Sequence, residues 1–168
     1  MAEPARRTGA GAARLLLSGF GAGMVPGAPG TVGSTVAAGV FVAVALATVE
    51  PWVTAACAAG ALLTGALTVG LAPGLMAEEG AQDPQVVVTD EMAGIFVTFL
   101  WMPRCPLWLT VAGGFALFRC FDILKPAGIR RLEALKGGWG VLADDLAAGA
   151  LANLGVRVLA LLWGALSG

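Results

Sequence analysis

The chain has 168 residues, of which 58% are hydrophobic and 12% are charged. This composition, with a mean hydropathy of +0.84, indicates a membrane protein rather than a soluble domain. The net charge of −1 gives no sign of a nucleic-acid partner, and the absence of histidine excludes a phosphohistidine intermediate or a histidine base. The length fits one domain over residues 1–168 and leaves the oligomeric state open.

The N-terminal segment is basic and precedes a stretch rich in glycine and proline. Residues 1–14 carry three arginines and are expected to be flexible. Gly19–Gly33 has the composition of a loop, and it lacks the preceding strand and the lysine of a nucleotide-binding motif. Thr31 or Ser34 is expected to cap the following helix, whose first amides, around Gly30 and Thr31, would suit a phosphate. A plain connecting loop is the alternative.

Two uncharged apolar runs then predict a helical hairpin. The first extends from about Thr31 to Val49 and is long enough for a short membrane span. Glu50-Pro51 interrupts it, because proline does not continue a helix. The second run, Trp52–Met76, is a further span, and the polar stretch Ala77–Gln85 follows it.

The middle of the chain allows two arrangements. Met92–Phe118 is apolar except for Arg104, which has a proline close on each side. One kinked span would fit this length. A hairpin also fits if its helices begin near Val86 and end near Leu124, and the two prolines favour it because they bracket a natural turn.

A final apolar helix is expected from about Val141 to Leu166. We therefore predict an all-α, polytopic membrane protein with about four spans in two hairpin-like pairs and with both termini in the cytoplasm. Lysine and arginine collect on the cytoplasmic side in this arrangement, namely Arg6, Arg7, Arg14, Arg119, Lys125, Arg130, Arg131 and Lys136. Four tryptophans fall near the opposite interface, namely Trp52, Trp101, Trp108 and Trp163.

Five carboxylates occur beside apolar runs, where charge is costly. They are Asp90 and Glu91, Asp122, and the pair Asp144 and Asp145. In the hairpin arrangement all five meet at the cytoplasmic surface, where a hard divalent cation such as Mg²⁺ would relieve their repulsion. The alternative is that they are acids favoured by a helix dipole. That alternative suits Asp144 and Asp145 better, since Asp90 and Glu91 are expected inside their helix.

Two cations accompany the central acid. Arg119, Asp122 and Lys125 are spaced i, i+3, i+6, which predicts that they share one helical face. This spacing suits a local stripe of ion pairs. It also suits a metal ligand flanked by two cations that bind a phosphate.

The chain resembles the phosphatidylglycerophosphatase A family of bacterial membrane lipid phosphatases, both in its short sequence motifs and in the order in which they occur. The matching blocks extend over about residues 19–149. They are Gly19-Phe20-Gly21-Ala22-Gly23 with Pro29-Gly30-Thr31; Val88-Thr89-Asp90-Glu91 with Gly94; and Phe118-Arg119 through Phe121-Asp122, Lys125-Pro126, Gly137-Gly138 and Asp144-Asp145 with Gly149. Thr89 is a departure, because the family often has tryptophan before the acidic pair.

The resemblance implies Mg²⁺-dependent hydrolysis of phosphatidylglycerophosphate to phosphatidylglycerol and phosphate, in phospholipid biosynthesis at a bacterial inner membrane. The residues expected to be catalytic and to bind metal are Asp90, Glu91, Asp122, Asp144 and Asp145. Those expected to bind substrate are Arg119, Lys125, Gly30 and Thr31. A small cation-binding or transport protein is the alternative, and it would hold such acids near the midplane on discontinuous helices. A lipid phosphotransferase would need a nucleotide site, for which the sequence has no motif.

Overall fold

The computed structural model describes the backbone of residues 4–167 and the side chains of residues 11–126 and 128–167. This part of the chain is all helical and contains no β-strand. Four helices are long and apolar enough to cross a membrane, which confirms the predicted all-α membrane fold and its number of span-length helices. The α-helices are α1 (Pro4–Leu17), α2 (Pro29–Ala47), α3 (Trp52–Glu79), α4 (Thr89–Thr98), α5 (Leu107–Leu124), α6 (Ala127–Arg130) and α7 (Gly138–Ser167). Those of span length are α2, α3, α5 and α7.

In the N-terminal part the predicted hairpin is present, but the segment before it differs from the prediction. Helices α2 and α3 form the predicted pair, separated at residues 48–51 around Glu50-Pro51. The chain is helical from Pro4 to Leu17, which covers most of residues 1–14, the segment expected to be flexible, and extends three residues beyond it. Residues 1–3 and the side chains of Arg6 and Arg7 lie outside the described part. A short 3-10 turn, Ala22–Met24, then leads to α2.

The middle of the chain forms a hairpin rather than a single kinked span, but its two helices are unequal. Helix α4 has 10 residues and α5 has 18. At about 1.5 Å per residue, α4 is roughly half as long as the hydrocarbon core of a bilayer is thick. The residues between them, 99–106, contain both prolines that predicted the turn.

The bundle has two distinct ends. At the acid end, Arg14 forms a salt bridge with Glu79 at 3.1 Å, and Lys125 pairs with Asp144 at 2.6 Å. At the tryptophan end, the rings of Trp108 and Trp163 meet edge to face at 5.6 Å. There, too, the amide of Trp101 donates to Thr54 Oγ1 at 3.2 Å.

The chain passes between these ends an odd number of times, because α4 with the residues after it reaches the tryptophan end despite its length. Helix α1 therefore lies at the acid end, whereas α7 finishes at the tryptophan end. The prediction that both termini lie on one side is wrong. The two predicted hairpins and the predicted final helix already make five helices, and the count of about four spans left one of them out.

Helix α4 is enclosed by its neighbours. Ile95 and Phe99 are fully buried, and the Phe99 ring stacks on that of Phe41 in α2 with centroids 4.1 Å apart. The Thr89 hydroxyl, at the position of the family departure, lies 2.7 Å from the Thr68 hydroxyl of α3. On the α7 side a Cβ at Gly149 would collide with the carbonyl oxygen of Gly94, so glycine is required there for the two backbones to touch. The start of α4 is thereby fixed inside the bundle.

Candidate active site

Three carboxylates converge where α4 meets α7. Asp90 and Glu91 project from the first turn of α4, and Asp145 projects from α7. One oxygen from each of these residues lies within 4.8 Å of an oxygen from each of the other two. Asp90 and Asp145 are each only 4% exposed, so water screens their repulsion weakly. We call Asp90, Glu91 and Asp145 the acid trio.

The acid trio has the donor set that a divalent cation requires. Within the described part of the chain, Asp90 Oδ1, Glu91 Oε2 and Asp145 Oδ1 are buried and have no hydrogen-bond partner. Buried polar atoms are normally satisfied, and leaving a charged one unsatisfied is costly. Carboxylate oxygens are the ligands that hard cations such as Mg²⁺ prefer. The residues therefore fit a divalent cation.

Asp122 and Asp144 stand beside the acid trio but are paired with cations. Asp122 forms the predicted i, i+3 salt bridge with Arg119 at 2.6 Å. Asp144 Oδ2 accepts a hydrogen bond from Lys125 Nζ at 2.6 Å. Their charges are thus partly neutralised by the protein itself, unlike those of the acid trio.

Lys125 does not share the helical face of Arg119, so that prediction is wrong. Helix α5 ends at Leu124, and Lys125 adopts a left-handed conformation with φ of 41°. This turn directs its ammonium group to Asp144 and to Glu133, each at 2.6 Å. Burial lowers the pKa of Lys125, but the hydrogen bonds to these two carboxylates outweigh it and raise the pKa overall. Lys125 therefore remains a cation.

All five predicted acids line one cavity of about 560 Å³ at the acid end. Lys125 and Asp83 line it as well, and its outer wall is formed by residues 133–137. The sequence prediction that the five carboxylates come together is therefore matched by the cavity. Its polar lining and its place at the end of the bundle suit a charged headgroup.

A second cavity, of about 440 Å³, lies on the other side of Glu91. Its lining brings Arg119 together with Gly30 and Thr31, three of the four residues predicted to bind substrate. A Cβ at Gly30 would collide with Glu91 Oε1 and come within 3.4 Å of Arg119 Nη1. Glycine at position 30 therefore allows both charged groups to approach the first turn of α2. Lys125, the fourth residue, lies in the first cavity.

The start of α2 differs from its prediction. The helix begins at Pro29, and Ala28 is its N-cap residue, with no side-chain cap hydrogen bond. Thr31 and Ser34 lie inside the helix and cap nothing, since proline with its fixed φ already starts the helix well. Thr31 instead uses its carbonyl oxygen to accept a bond from Thr35. The first turn of α2 has no side-chain cap, and its residues Gly30 and Thr31 line the second cavity.

The helix dipole favours the opposite pair of acids from the one expected. Asp90 and Glu91 lie in the first turn of α4, where the N-terminal dipole stabilises negative charge. Asp144 and Asp145 lie beyond the first turn of α7, because α7 begins at Gly138 rather than near Val141. The dipole therefore does not explain the second pair.

Sequence reasoning missed two acids of the site. Glu133 holds Lys125, and Asp83 lines both cavities. Burial raises the pKa of Asp83, and nearby carboxylates, chiefly Asp144, add to this against the opposing effect of Lys125. A signal for Asp83 was available, since an acid in a short polar connection just before Asp90-Glu91 must lie near them. No local signal pointed to Glu133.

These features define a helical membrane protein whose acidic site can hold a divalent cation beside cationic side chains. Comparison with known proteins makes the class specific. The model of the phosphatidylglycerophosphatase A family matches residues 15–160. No solved structure matches the chain.

Three relatives cover most of the chain. Phosphatidylglycerophosphatase A of Escherichia coli is 34% identical over 144 residues, which is 82% of this chain and 77% of the relative. The protein of that name from Haemophilus influenzae is 38% identical over 140 residues, or 80% of each. A Bacteroides thetaiotaomicron protein, named as a candidate phosphatidylinositol-3-phosphatase, is 39% identical over 139 residues, 80% of this chain and 85% of the relative. The chain belongs to the phosphatidylglycerophosphatase A family and is a phosphatase, a phosphoric monoester hydrolase.

Proposed function

We propose that the protein hydrolyses the terminal phosphomonoester of phosphatidylglycerophosphate, giving phosphatidylglycerol and phosphate, and that it requires Mg²⁺. The acid trio carries this proposal, since its buried oxygens without hydrogen-bond partners in the described chain suit a divalent cation. The family and the names of two relatives support the substrate. We assign Asp90, Glu91 and Asp145 as the metal ligands, and Asp122 and Asp144 as acids that hold the neighbouring cations.

The phosphate would lie between the acid trio and the first turn of α2. Arg119 is held by Asp122 and lines the second cavity with Gly30 and Thr31. An oriented guanidinium and free helix amides stabilise the negative charge of phosphate oxygens. A divalent cation bound by the acid trio would add charge stabilisation and make a bound water more acidic.

Lys125 would act from the first cavity, which shares Glu91 with the second. Its ammonium group is fixed by Asp144 and Glu133, so it offers a positive charge without having to be ordered when the lipid binds. The proton of the attacking water would pass to a carboxylate of the cavity that is not bound to the cation. Asp144 Oδ1 is available for this, because it is buried and accepts no hydrogen bond from the described residues.

One structural feature supports the alternative of a cation transporter, and another opposes it. Helix α4 is short, as that alternative predicts for a helix carrying the acids. However, Asp90 and Glu91 occupy its first turn, at the acid end of the bundle, rather than a break at the midplane. Family membership also supports the phosphatase.

We further propose that the acid end faces the cytoplasm at a bacterial inner membrane. Cationic side chains gather at this end, including Arg14, Arg119 and Lys125, and excess positive charge normally stays in the cytoplasm. Single cysteines at positions 79 and 104, in a variant without native cysteines, test this in intact cells. An impermeant maleimide should label position 104 and not position 79, and the reverse pattern would disprove the orientation.

Phosphate release from purified protein in detergent tests the activity. We expect release from phosphatidylglycerophosphate with Mg²⁺, loss with a chelator, and recovery when Mg²⁺ is restored. Asp145→Asn should remain folded and inactive. A wild-type protein that releases no phosphate under these conditions would disprove the proposal.

A second substrate deserves a parallel assay because of the Bacteroides relative. Phosphatidylinositol 3-phosphate also carries a phosphomonoester on a lipid headgroup, so the same charged groups could bind it. We expect kcat/KM to be higher for phosphatidylglycerophosphate. A higher value for the inositol lipid would keep the reaction class and change the substrate.

A further inference from the structure

Helix α4 ends inside the bundle, where its last carbonyl groups need donors. The final four carbonyls of any α-helix have no partner within the helix. In an apolar interior each such group is costly, and water is not present to satisfy it. Phe99 at this end is fully buried. The amides of Phe99 and Leu100 satisfy the carbonyls of Ile95, Phe96 and Val97, so the carbonyl of Thr98 and those of the residues just after it need donors from another part of the protein.

Asn153 of α7 supplies donors to two of these carbonyls. Its Nδ2 donates to the carbonyl oxygen of Thr98 at 2.9 Å and to that of Leu100 at 2.7 Å. A longer contact of 3.5 Å reaches the carbonyl of Val97. One side chain thus contacts three backbone carbonyls, those of Val97, Thr98 and Leu100, at the end of α4 and just after it.

Arg157 completes the arrangement one turn further along α7. Its Nη2 donates to the carbonyl oxygen of Trp101 at 2.7 Å. Its Nε donates to Asn153 Oδ1 at 2.9 Å, which orients the amide so that Nδ2 faces α4. We call Asn153 and Arg157 the α4 clamp.

The α4 clamp and the acid trio lie on the same two helices. Asp145 precedes Asn153 on α7 by roughly 12 Å of helix, and Asp90 and Glu91 occupy the opposite end of α4. Between the two points the helices touch at Gly94 and Gly149. A displacement of α4 along its axis would therefore move its two acids relative to Asp145.

We infer that Asn153 and Arg157 are positioning residues, which hold α4 at the axial position where Asp90 and Glu91 meet Asp145. The inference rests on the proposed metal site. A clamp that only stabilised the fold would change the amount of folded protein and not the metal affinity of the folded molecules. The two roles are therefore separable by direct binding measurements.

The test measures Mn²⁺ binding to detergent-solubilised, folded protein by electron paramagnetic resonance, together with the Mg²⁺ dependence of phosphate release. Asn153→Leu removes the donors without adding charge, and Arg157→Gln removes the guanidinium. We expect each to weaken Mn²⁺ binding on the order of tenfold, as losses in the supporting shell of a metal site do. Arg157→Lys keeps a donor for Trp101 and should restore part of the affinity.

Arg104→Ala is the matched control. Arg104 is an exposed cation near the tryptophan end and makes no salt bridge with the described residues, so its loss should leave Mn²⁺ binding unchanged. Wild-type affinity in both folded Asn153→Leu and Arg157→Gln would overturn the inference, and if Asn153→Leu does not fold, Arg157→Gln decides alone. A wild-type protein that binds no Mn²⁺ would overturn the metal site and the clamp's role together. Metal binding without phosphate release would contradict only the proposed reaction.

Discussion

The acids of the first cavity fall into two groups with different surroundings. The acid trio of Asp90, Glu91 and Asp145 forms no salt bridge within the described chain, whereas Asp122 and Asp144 each form one at 2.6 Å. Both groups line the same cavity. A place in the same cavity therefore does not give these carboxylates the same partners.

A cation held by the protein removes the need for a metal at the same carboxylate. The negative charges of Asp122 and Asp144 are balanced by Arg119 and Lys125, respectively. Each acid also holds its cation in place. The acid trio has no such compensation, so it would be destabilising unless a divalent ion or protons neutralised it. The predictions below depend on this division.

The largest expected effect is on the acid trio. Asp145→Asn keeps the size of the side chain and removes one of the three charges that we propose bind the metal, so phosphate release should fall to background and Mn²⁺ binding should be lost. Asp122→Asn should retain Mn²⁺ binding, since Asp122 is paired with Arg119. Equal loss of Mn²⁺ binding in the two variants, measured on folded protein, would remove the distinction between the groups.

The next effect concerns Arg119. Arg119→Ala removes a fixed cation from the second cavity, and kcat/KM should fall by about 10²–10³, as for the loss of one charge-stabilising donor. Mn²⁺ affinity should stay the same or rise, because a positive charge near Glu91 disappears. Arg130→Ala, at an exposed cation outside both cavities, is the control. Unchanged specific activity per folded Arg119→Ala molecule would disprove phosphate binding.

Lys125 should matter less than Arg119 but more than Glu133. Lys125→Met removes the positive charge that we propose acts on the phosphate. A hydrogen bond to a charged group is worth about 1.5–3 kcal/mol, so the loss of such a bond to the phosphate should lower kcat/KM about ten- to hundredfold. Glu133→Gln breaks only a half-exposed pair and should change activity little. Phosphate release by the two variants ranks them, and a larger loss in Glu133→Gln would contradict the ordering.

The smallest effect is a pH dependence from Asp83. Its pKa is raised above the ordinary 3.8, first by burial, so its ionised form is disfavoured in the folded state. The stability it contributes is complete below pH 3.8 and is lost as the pH rises through the raised value. Asp83→Asn should therefore gain about 1–2 °C in Tm over wild type near neutral pH, and no difference near pH 3. A gain that is the same at both pH values would point to another cause.

The sequence predicted those parts of the molecule that local chemistry controls. Glu50-Pro51 and the prolines around Arg104 mark the turns of both hairpins, because proline disfavours the interior of a helix, although Pro73 is accommodated within α3. The i, i+3 pair of Arg119 and Asp122 forms as spaced. The convergence of five acids followed from the same turns, since each acid lies near a helix end on one side.

The remaining features depend on residues distant in the chain. The end of α4 at Thr98 lies within an uninterrupted apolar run, and the donors that satisfy it come from Asn153 and Arg157. The direction of Lys125 depends on Glu133 and Asp144 after the helix has ended. The spacing of residues within one helix does not indicate which residues from distant parts of the chain will contact it.

The odd number of passes also affects how the protein can be handled in a cell. If the acid end and the tryptophan end face opposite membrane surfaces, as we propose, the end of α7 lies on the side opposite to the acid trio. A fluorescent reporter or affinity handle joined there would have to be exported if the substrate is cytoplasmic. The same handle placed before α1 would stay in the compartment of the active site.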